Sequence, residues 1–356
     1  MQQWLAKANY RLVQEIASTS FSKLVEIEDL ETKERYAAKY VPYGNDHSLR
    51  HLNQEAQILN IVNGQVGFPK MVAFQEKPDM SIIIMTLGGK SLSTLFKECN
   101  HSFSLKTVLI IATQLLNSIE YLHHKGIVHR DIKPDNVVVG VGSNFDQLIL
   151  VDFGLSVFYR DVETNEILPP LQHLGFDGTS RYASINTHMG IAPSPRDDLE
   201  SLGYMLIYFL KGSLPWQNIS GLRLDGIAAT KKTTTIDDLC QDLIPEISAF
   251  LQNVRELQYD SVPPYASYRE LFYNAFIQRE YIFDSRFDWM IRKSFSFLLH
   301  ANSIQQDHDN PPKLPKRQAY RRSACLEKAN LGFLDPNFHS GFFKQHRSSK
   351  NNISHS

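Results

Sequence analysis

Residues 129–136 read His-Arg-Asp-Ile-Lys-Pro-Asp-Asn, which sets a carboxylate at Asp131, a cation at Lys133 and an amide at Asn136 within eight residues. Asp152-Phe153-Gly154 follows sixteen residues after Asn136, directly behind the apolar run Leu148-Ile149-Leu150-Val151. Phosphoryl transfer asks little covalent chemistry of a protein. It needs a carboxylate to orient an attacking hydroxyl and oxygen ligands for the ions that neutralise phosphate charge. Asp131 suits the first task; Asn136 and Asp152 suit the second. A lone Asp-Phe-Gly is common by chance, whereas the eight-residue string with this partner downstream is not. Such a chain has to fold so that the two stretches converge in one cleft.

At 356 residues the natural expectation is one large two-lobed domain or two domains. A net charge of −1 offers no global case for nucleic acid or a membrane as partner. The charge is uneven: from Ala301 onward 9 basic residues face 4 acidic ones, leaving 28 and 34 in residues 1–300. Three cysteines, Cys99, Cys240 and Cys325, show no short spacing, which argues against a disulfide framework or zinc site and for a reducing compartment. The N-terminus has no apolar signal core and no stretch reaches membrane-spanning length. A soluble cytoplasmic or nuclear protein is expected.

Residues 10–42 alternate in short runs, Tyr10 to Ile16, Leu24 to Leu30 and Tyr36 to Val41, the pattern of an antiparallel sheet with one face solvated. From Ser48 to Val62, Leu49, Leu52, Ala56 and Leu59 recur at helical spacing, with Glu55 on their face. An inward carboxylate needs a cation, and Lys39 on the third run is the best placed; the bland alternative is a rim glutamate reaching water. Residues 71–87 predict two further strands ending at Thr86-Leu87-Gly88-Gly89, where the glycines suit a flexible turn and Met85 an ordinary core position. Leu105 to His124 predicts an amphipathic packing helix. Ser156 to Phe176, with Pro169 and Pro170, predicts a long irregular loop. The segment from Asp198 is apolar on more than one face and predicts a buried helix, with further helices near 235–256, 267–276 and 284–299.

The two signature strings, in this order and separation, resemble those of eukaryotic protein kinases. Ser184-Ile185-Asn186 stands where kinases generally carry Ala-Pro-Glu, followed by Arg196-Asp197-Asp198-Leu199-Glu200-Ser201-Leu202-Gly203-Tyr204, Gly212-Ser213-Leu214-Pro215-Trp216 and Phe287-Asp288-Trp289. These strings are similar to the casein kinase 1 family, with the vaccinia-related kinases as cousins and nearest competitors. The resemblance implies an α+β two-lobed kinase domain over 8–300, a small antiparallel-sheet lobe over 8–88 and a mainly helical lobe over 89–300. It implies a Ser/Thr kinase that uses ATP and Mg²⁺ on protein substrates; a monomer with no direct nucleic-acid or membrane partner is the accompanying expectation. Asp131 would orient the hydroxyl, Lys133 counter the transferring charge, Asn136 and Asp152 bind Mg²⁺, and Lys39, paired with Glu55, hold the phosphates. ATP would lie among Ile16, Ala17, Ser18, Thr19, Phe21, Leu24, Ala37, Lys39, Met85, Leu87, Gly88 and Val138, with Leu87 and Gly88 as the hinge. Thr179 and Arg181 would meet the substrate, Arg181 favouring acidic or already phosphorylated sites with Arg223, Lys231 and Lys232 as the nearby cations. Asp198 resembles the residue that braces the catalytic-loop backbone, a role compatible with a favourable helix-dipole position. Arg130 suits pairing with a loop phosphate, a step casein kinase 1 relatives generally do without.

One departure stands out. Kinases close over the phosphates with a loop carrying glycine at three places; aligned on Ile16 and Phe21, this chain has Ala17, Thr19 and Ser22. Any of these held at positive φ carries strain of roughly 1–2 kcal/mol, equivalent to about ten- to thirty-fold in affinity or rate. A pseudokinase scaffold with weak or no catalysis is therefore the alternative. Residues 301–356, with Pro311-Pro312, Lys316-Arg317 and Arg321-Arg322, predict a basic flexible tail, although Phe333, Phe338, Phe342 and Phe343 suit docking.

Overall fold

A computed structural model describes residues 2–19, 22–42, 46–77, 80–217 and 224–291. The chain divides into two units, Met1–His300 and Ala301–Ser356; the second, with the basic tail, lies outside the described residues.

Helix α1 (Gln2–Lys7) leads into strands β1 (Tyr10–Ser18), β2 (Lys23–Asp29) and β3 (Arg35–Pro42). Helix α2 (Asp46–Ile61) then crosses to β4 (Met71–Lys77) and β5 (Met80–Thr86). The strands form one antiparallel sheet in the order β1-β2-β3-β5-β4. On its inner face Ala37, Val41, Ile83 and Met85 meet Leu52, Ala56 and Leu59 of α2, within the main core. The outer face is not solvated as the alternation predicts. Leu5 of α1 is buried there with Val25, Ile27, Ala38, Ile82 and Ile84, and Trp4 packs against them. Covering both faces accounts for the near-continuous apolar composition of β5.

The second lobe is mainly helical. In chain order come α3 (Leu92–Glu98), α4 (Leu105–His124), β6 (Ile127–Val128), β7 (Val137–Val139), β8 (Leu148–Leu150), β9 (Val157–Phe158) and α5 (Ile185–His188). Then follow α6 (Pro195–Lys211), α7 (Leu224–Thr233), α8 (Ile236–Leu239), α9 (Pro245–Glu256) and α10 (Tyr265–Gln278). Ser104 caps α4, and Asp288 accepts from the Ser104 amide at 2.5 Å and hydroxyl at 2.8 Å, tying the end of the lobe to its first long helix. Helix α6 is buried from Asp197 to Phe209 and stops at Gly212, whose φ of 81° provides the left-handed cap. The predicted 235–256 helix divides into α8 and α9, and 267–276 lies inside α10. Of 284–299, only 284–291 falls within the described residues; there the rings of Phe287 and Trp289 stack 4.4 Å apart. Among the described residues no helix is long and apolar enough to cross a membrane.

Candidate active site

Strand alternation turns Lys39 to the same side as Ala37 and Val41, and helical spacing turns Glu55 inward beside Leu52, Ala56 and Leu59. Lys39 Nζ donates to Glu55 Oε2 at 2.6 Å and to Asp152 Oδ1 at 2.7 Å. The pairing inferred from an inward carboxylate is therefore present, with Asp152 of the Asp-Phe-Gly string added to it. Burial works against the Lys39 charge, but the Glu55 and Asp152 carboxylates outweigh it and hold the lysine above its ordinary value. For Glu55, burial dominates the opposing pull of Lys39 and raises the pKa. Burial also opposes the Asp152 charge, yet Lys39 wins and lowers that pKa. Asp152 sits at φ 67°, a left-handed conformation that a non-glycine residue adopts only when its surroundings impose it. Phe153, fully buried between Phe68 and His129, is the adjoining anchor.

The catalytic-loop backbone hangs on one buried carboxylate. Asp198 at the start of α6 accepts from the amides of His129 at 2.6 Å and Arg130 at 2.8 Å, and from His123 Nε2 at 2.8 Å. These bonds hold Arg130 at φ 69° and deliver Asp131 into the cleft. Asp131 accepts from Lys133 Nζ at 2.5 Å, from Thr179 Oγ1 at 2.7 Å and from Asn136 Nδ2 at 3.0 Å. Lys133 also donates to Thr179 Oγ1 at 3.0 Å. Asn136 Nδ2 bonds in addition to the Asp131 carbonyl at 2.9 Å, which commits the amide nitrogen and leaves Oδ1, the atom a divalent cation would use. Gly178, at φ 104°, lets Thr179 approach: a Cβ there would lie 2.8 Å from the Arg130 carbonyl oxygen. A family model described as the protein kinase domain matches residues 10–260.

The chain belongs to the protein kinase family. Of the residues expected around the nucleotide in this kinase, Ala37 and Met85 are register partners on β3 and β5, as are Leu24 and Lys39 on β2 and β3. Gly88 packs so tightly on Val138 that an added Cβ would meet Val138 Cγ2 at 2.5 Å, and the Gly89 amide donates to the Val139 carbonyl at 2.7 Å. Leu87 packs on the core edge. Ile16, Ala17, Ser18 and Thr19 are exposed at the end of β1, with Ala17 opposite Leu24. Phe21 lies outside the described residues.

Neither Ala17 nor Thr19 is among the described residues held at positive φ, so no such strain arises at these two positions. Thr19 closes the turn itself. Its amide donates to the Ser22 carbonyl at 2.9 Å and its hydroxyl accepts from the Ser22 amide at 2.9 Å. A side-chain hydroxyl here takes up a backbone amide locally.

Several neighbours escaped sequence reasoning. His51 and Gln54 of α2 reach the carbonyls of Gly154 and Ser156, clasping the stretch that follows Asp152 to the helix. Arg130 donates to Asp177 at 3.0 Å and to the Leu155 carbonyl at 3.2 Å, so an acid of the chain occupies the place expected for a loop phosphate. The Arg181 guanidinium lies over the rings of Tyr182 and Tyr208 at 5.8 and 5.7 Å. Lys231, expected as a surface cation beside it, is fully buried; Lys232 is exposed and Arg223 falls outside the described residues. Lys231 shares its helical face with Ile227, four residues earlier, and that spacing was the available clue.

Proposed function

We propose that the chain is a protein serine/threonine kinase of the casein kinase 1 type, transferring the γ-phosphoryl group of Mg-ATP to Ser or Thr hydroxyls of protein substrates. The carrying observation is the Lys39–Asp152 pair at 2.7 Å beside the cluster of Asp131, Lys133, Asn136 and Thr179, the Val151 amide next to Asp152 donating to the Asn136 carbonyl at 2.9 Å. In this reading Asp131 accepts a hydrogen bond from the substrate hydroxyl and aligns its oxygen with the phosphorus, in the position Thr179 Oγ1 supports from the other side. Lys133 balances charge that develops on the transferring group, and Lys39, fixed by Glu55, holds the nucleotide phosphates. Asn136 and Asp152 supply oxygen donors that fit Mg²⁺, the remaining ligands coming from phosphate and water. Bound there, the ion would neutralise charge on the phosphate oxygens.

Support for the casein kinase 1 type comes from Ser184-Ile185-Asn186. Ser184 caps α5, accepting from the Thr187 amide at 2.9 Å, and its hydroxyl donates to Asp197 at 2.5 Å. The segment is thereby secured to α6 without Ala-Pro-Glu. Arg181 is the cation we assign to an acidic or phosphorylated residue ahead of the target. A peptide array without acidic preference there removes that assignment.

The self-closed Thr19 turn favours the second reading, a pseudokinase scaffold, because the Ser22 amide is already used. Transfer from labelled ATP to casein, beside an Asp131→Asn control, separates the two. Signal lost in the control supports the enzyme; no signal in the wild type, with Mg-ATP absent or bound idly, supports the scaffold.

A further inference from the structure

Lys231 on α7 has no exposed surface. A buried ammonium is tolerated only when its protons are used. Its Nζ donates to the Ser180 carbonyl at 2.8 Å and to the Ala183 carbonyl. It also faces the rings of Tyr204 and Trp216, 4.9 and 5.1 Å from their centroids. Trp216 Nε1 in turn donates to the Arg181 carbonyl at 2.7 Å. Three carbonyls of one short segment are held from inside by two side chains that are distant in sequence.

The neighbouring acid does not explain the lysine. Glu200 is engaged by the Tyr204 hydroxyl at 2.5 Å and by Arg255 Nε at 3.5 Å. Burial, with Arg255 adding to it and Glu200 only partly opposing, depresses Lys231 to about 7. An apolar side chain of similar length would fill this space without that penalty. What it could not do is hold the carbonyls of Ser180 and Ala183.

We propose that Lys231, assisted by Trp216, is a positioning residue that fixes the backbone from Thr179 to Ala183, setting the Thr179 hydroxyl on Asp131 and preforming the edge met by the acceptor peptide. The substrate half of this inference rests on the protein kinase reading; the bracing half does not. Lys231 touches neither nucleotide nor hydroxyl. Its effect therefore belongs in the protein-substrate terms of the kinetics and not in nucleotide binding.

The test uses the full chain as wild type, Lys231→Met and Trp216→Phe. The second variant keeps an aromatic ring and loses only the N–H donor, so it guards against a Lys231 variant that fails to fold. Hydrogen exchange over 178–184 should accelerate about tenfold or more in Lys231→Met and severalfold in Trp216→Phe, the scale of one or two lost net hydrogen bonds. The KM for casein should rise by similar factors, while the Mg-ATP dissociation constant stays within about twofold. Unchanged exchange in both variants overturns the proposal. So does an unchanged casein KM, or casein and nucleotide terms that decline together with a general rise in exchange, which marks a merely structural residue. If the wild type transfers no phosphate, the proposed function falls, and exchange over 178–184 still decides the bracing.

Discussion

Asp198→Asn is the sharpest single perturbation of this site, because one carboxylate 1% exposed serves two loop amides and a histidine. The substitution replaces one accepting oxygen with an NH₂ that faces an N–H. One loop amide then loses a charge-assisted bond worth about 1.5–3 kcal/mol, and an amide left buried without a partner costs about 1–3 kcal/mol. If the Arg130 amide is the one released, the left-handed conformation at φ 69° has nothing to hold it against roughly 1–2 kcal/mol of intrinsic strain. The terms overlap, and about 3–5 kcal/mol of lost stability is expected in urea melts at pH 7, as for breaking a buried pair. Because Asp131 follows Arg130 directly, phosphate transfer should drop about 100-fold or more even where the variant is folded. The pH dependence has a definite sign. Burial opposes the Asp198 charge, but His123 and the loop amides outweigh it and hold the acid below its ordinary value of 3.8. Its contribution is therefore complete above pH 3.8 and is lost as pH falls through the lowered folded value, a limb the variant should lack. A variant within about 1 kcal/mol of wild type, with wild-type turnover, refutes the assignment of Asp198 as the brace.

Lys39→Met strands Glu55 in the core and should destabilise the chain by about 3 kcal/mol, with part recovered in the double variant that adds Glu55→Gln; chemical denaturation of the four proteins checks this. Thr19→Gly frees the Ser22 amide and should tighten Mg-ATP about three- to tenfold by calorimetry, the worth of one net hydrogen bond. No change there would mean the turn does not compete with phosphate. His188, half-buried and stacked on Phe176, is pushed down to about 4 by burial first and the Lys231 charge second. The unfolded chain then binds a proton that the folded one refuses, so stability is full above pH 6.5 and falls toward pH 4 by at most about 3 kcal/mol. His188→Gln should flatten that limb in thermal melts taken across the range.

What was legible in the sequence follows from periodicity. Lys39 and Glu55 lie on elements whose two- and 3.6-residue repeats say which way a side chain turns, and both turn as expected. Backbone handedness has no such trace: nothing in His-Arg-Asp or Asp-Phe-Gly announces positive φ at Arg130 and Asp152. The same holds for the loop after β1: the letters Ala17, Thr19 and Ser22 do not say that the Thr19 hydroxyl takes up the Ser22 amide. Helix α1 is too short to show a repeat, so the cover it provides through Leu5 was invisible and the sheet read as half-solvated. Lys231 and Lys232 are identical as letters; packing against Tyr204 and Trp216 selects the first for burial.

The Arg130–Asp177 pair bears on how such a site would be switched. In a kinase that waits for phosphorylation, the loop arginine lacks its anion until phosphate arrives. Here Asp177 already supplies one at 3.0 Å. The Asp177 side chain is 56% exposed, so the pair contributes at most about 1 kcal/mol after screening. It biases the segment without locking it. Gly178 against the Arg130 carbonyl, and Thr179 on Asp131, hold the next residues by closer contacts. Asp177→Asn should accordingly lower turnover no more than about fivefold, and less at high salt, with casein as substrate. Phosphatase treatment of the wild type should leave turnover unchanged. A loss of 100-fold from either would mean that the anion at Arg130 is required, and that the neighbouring contacts do not hold the segment by themselves.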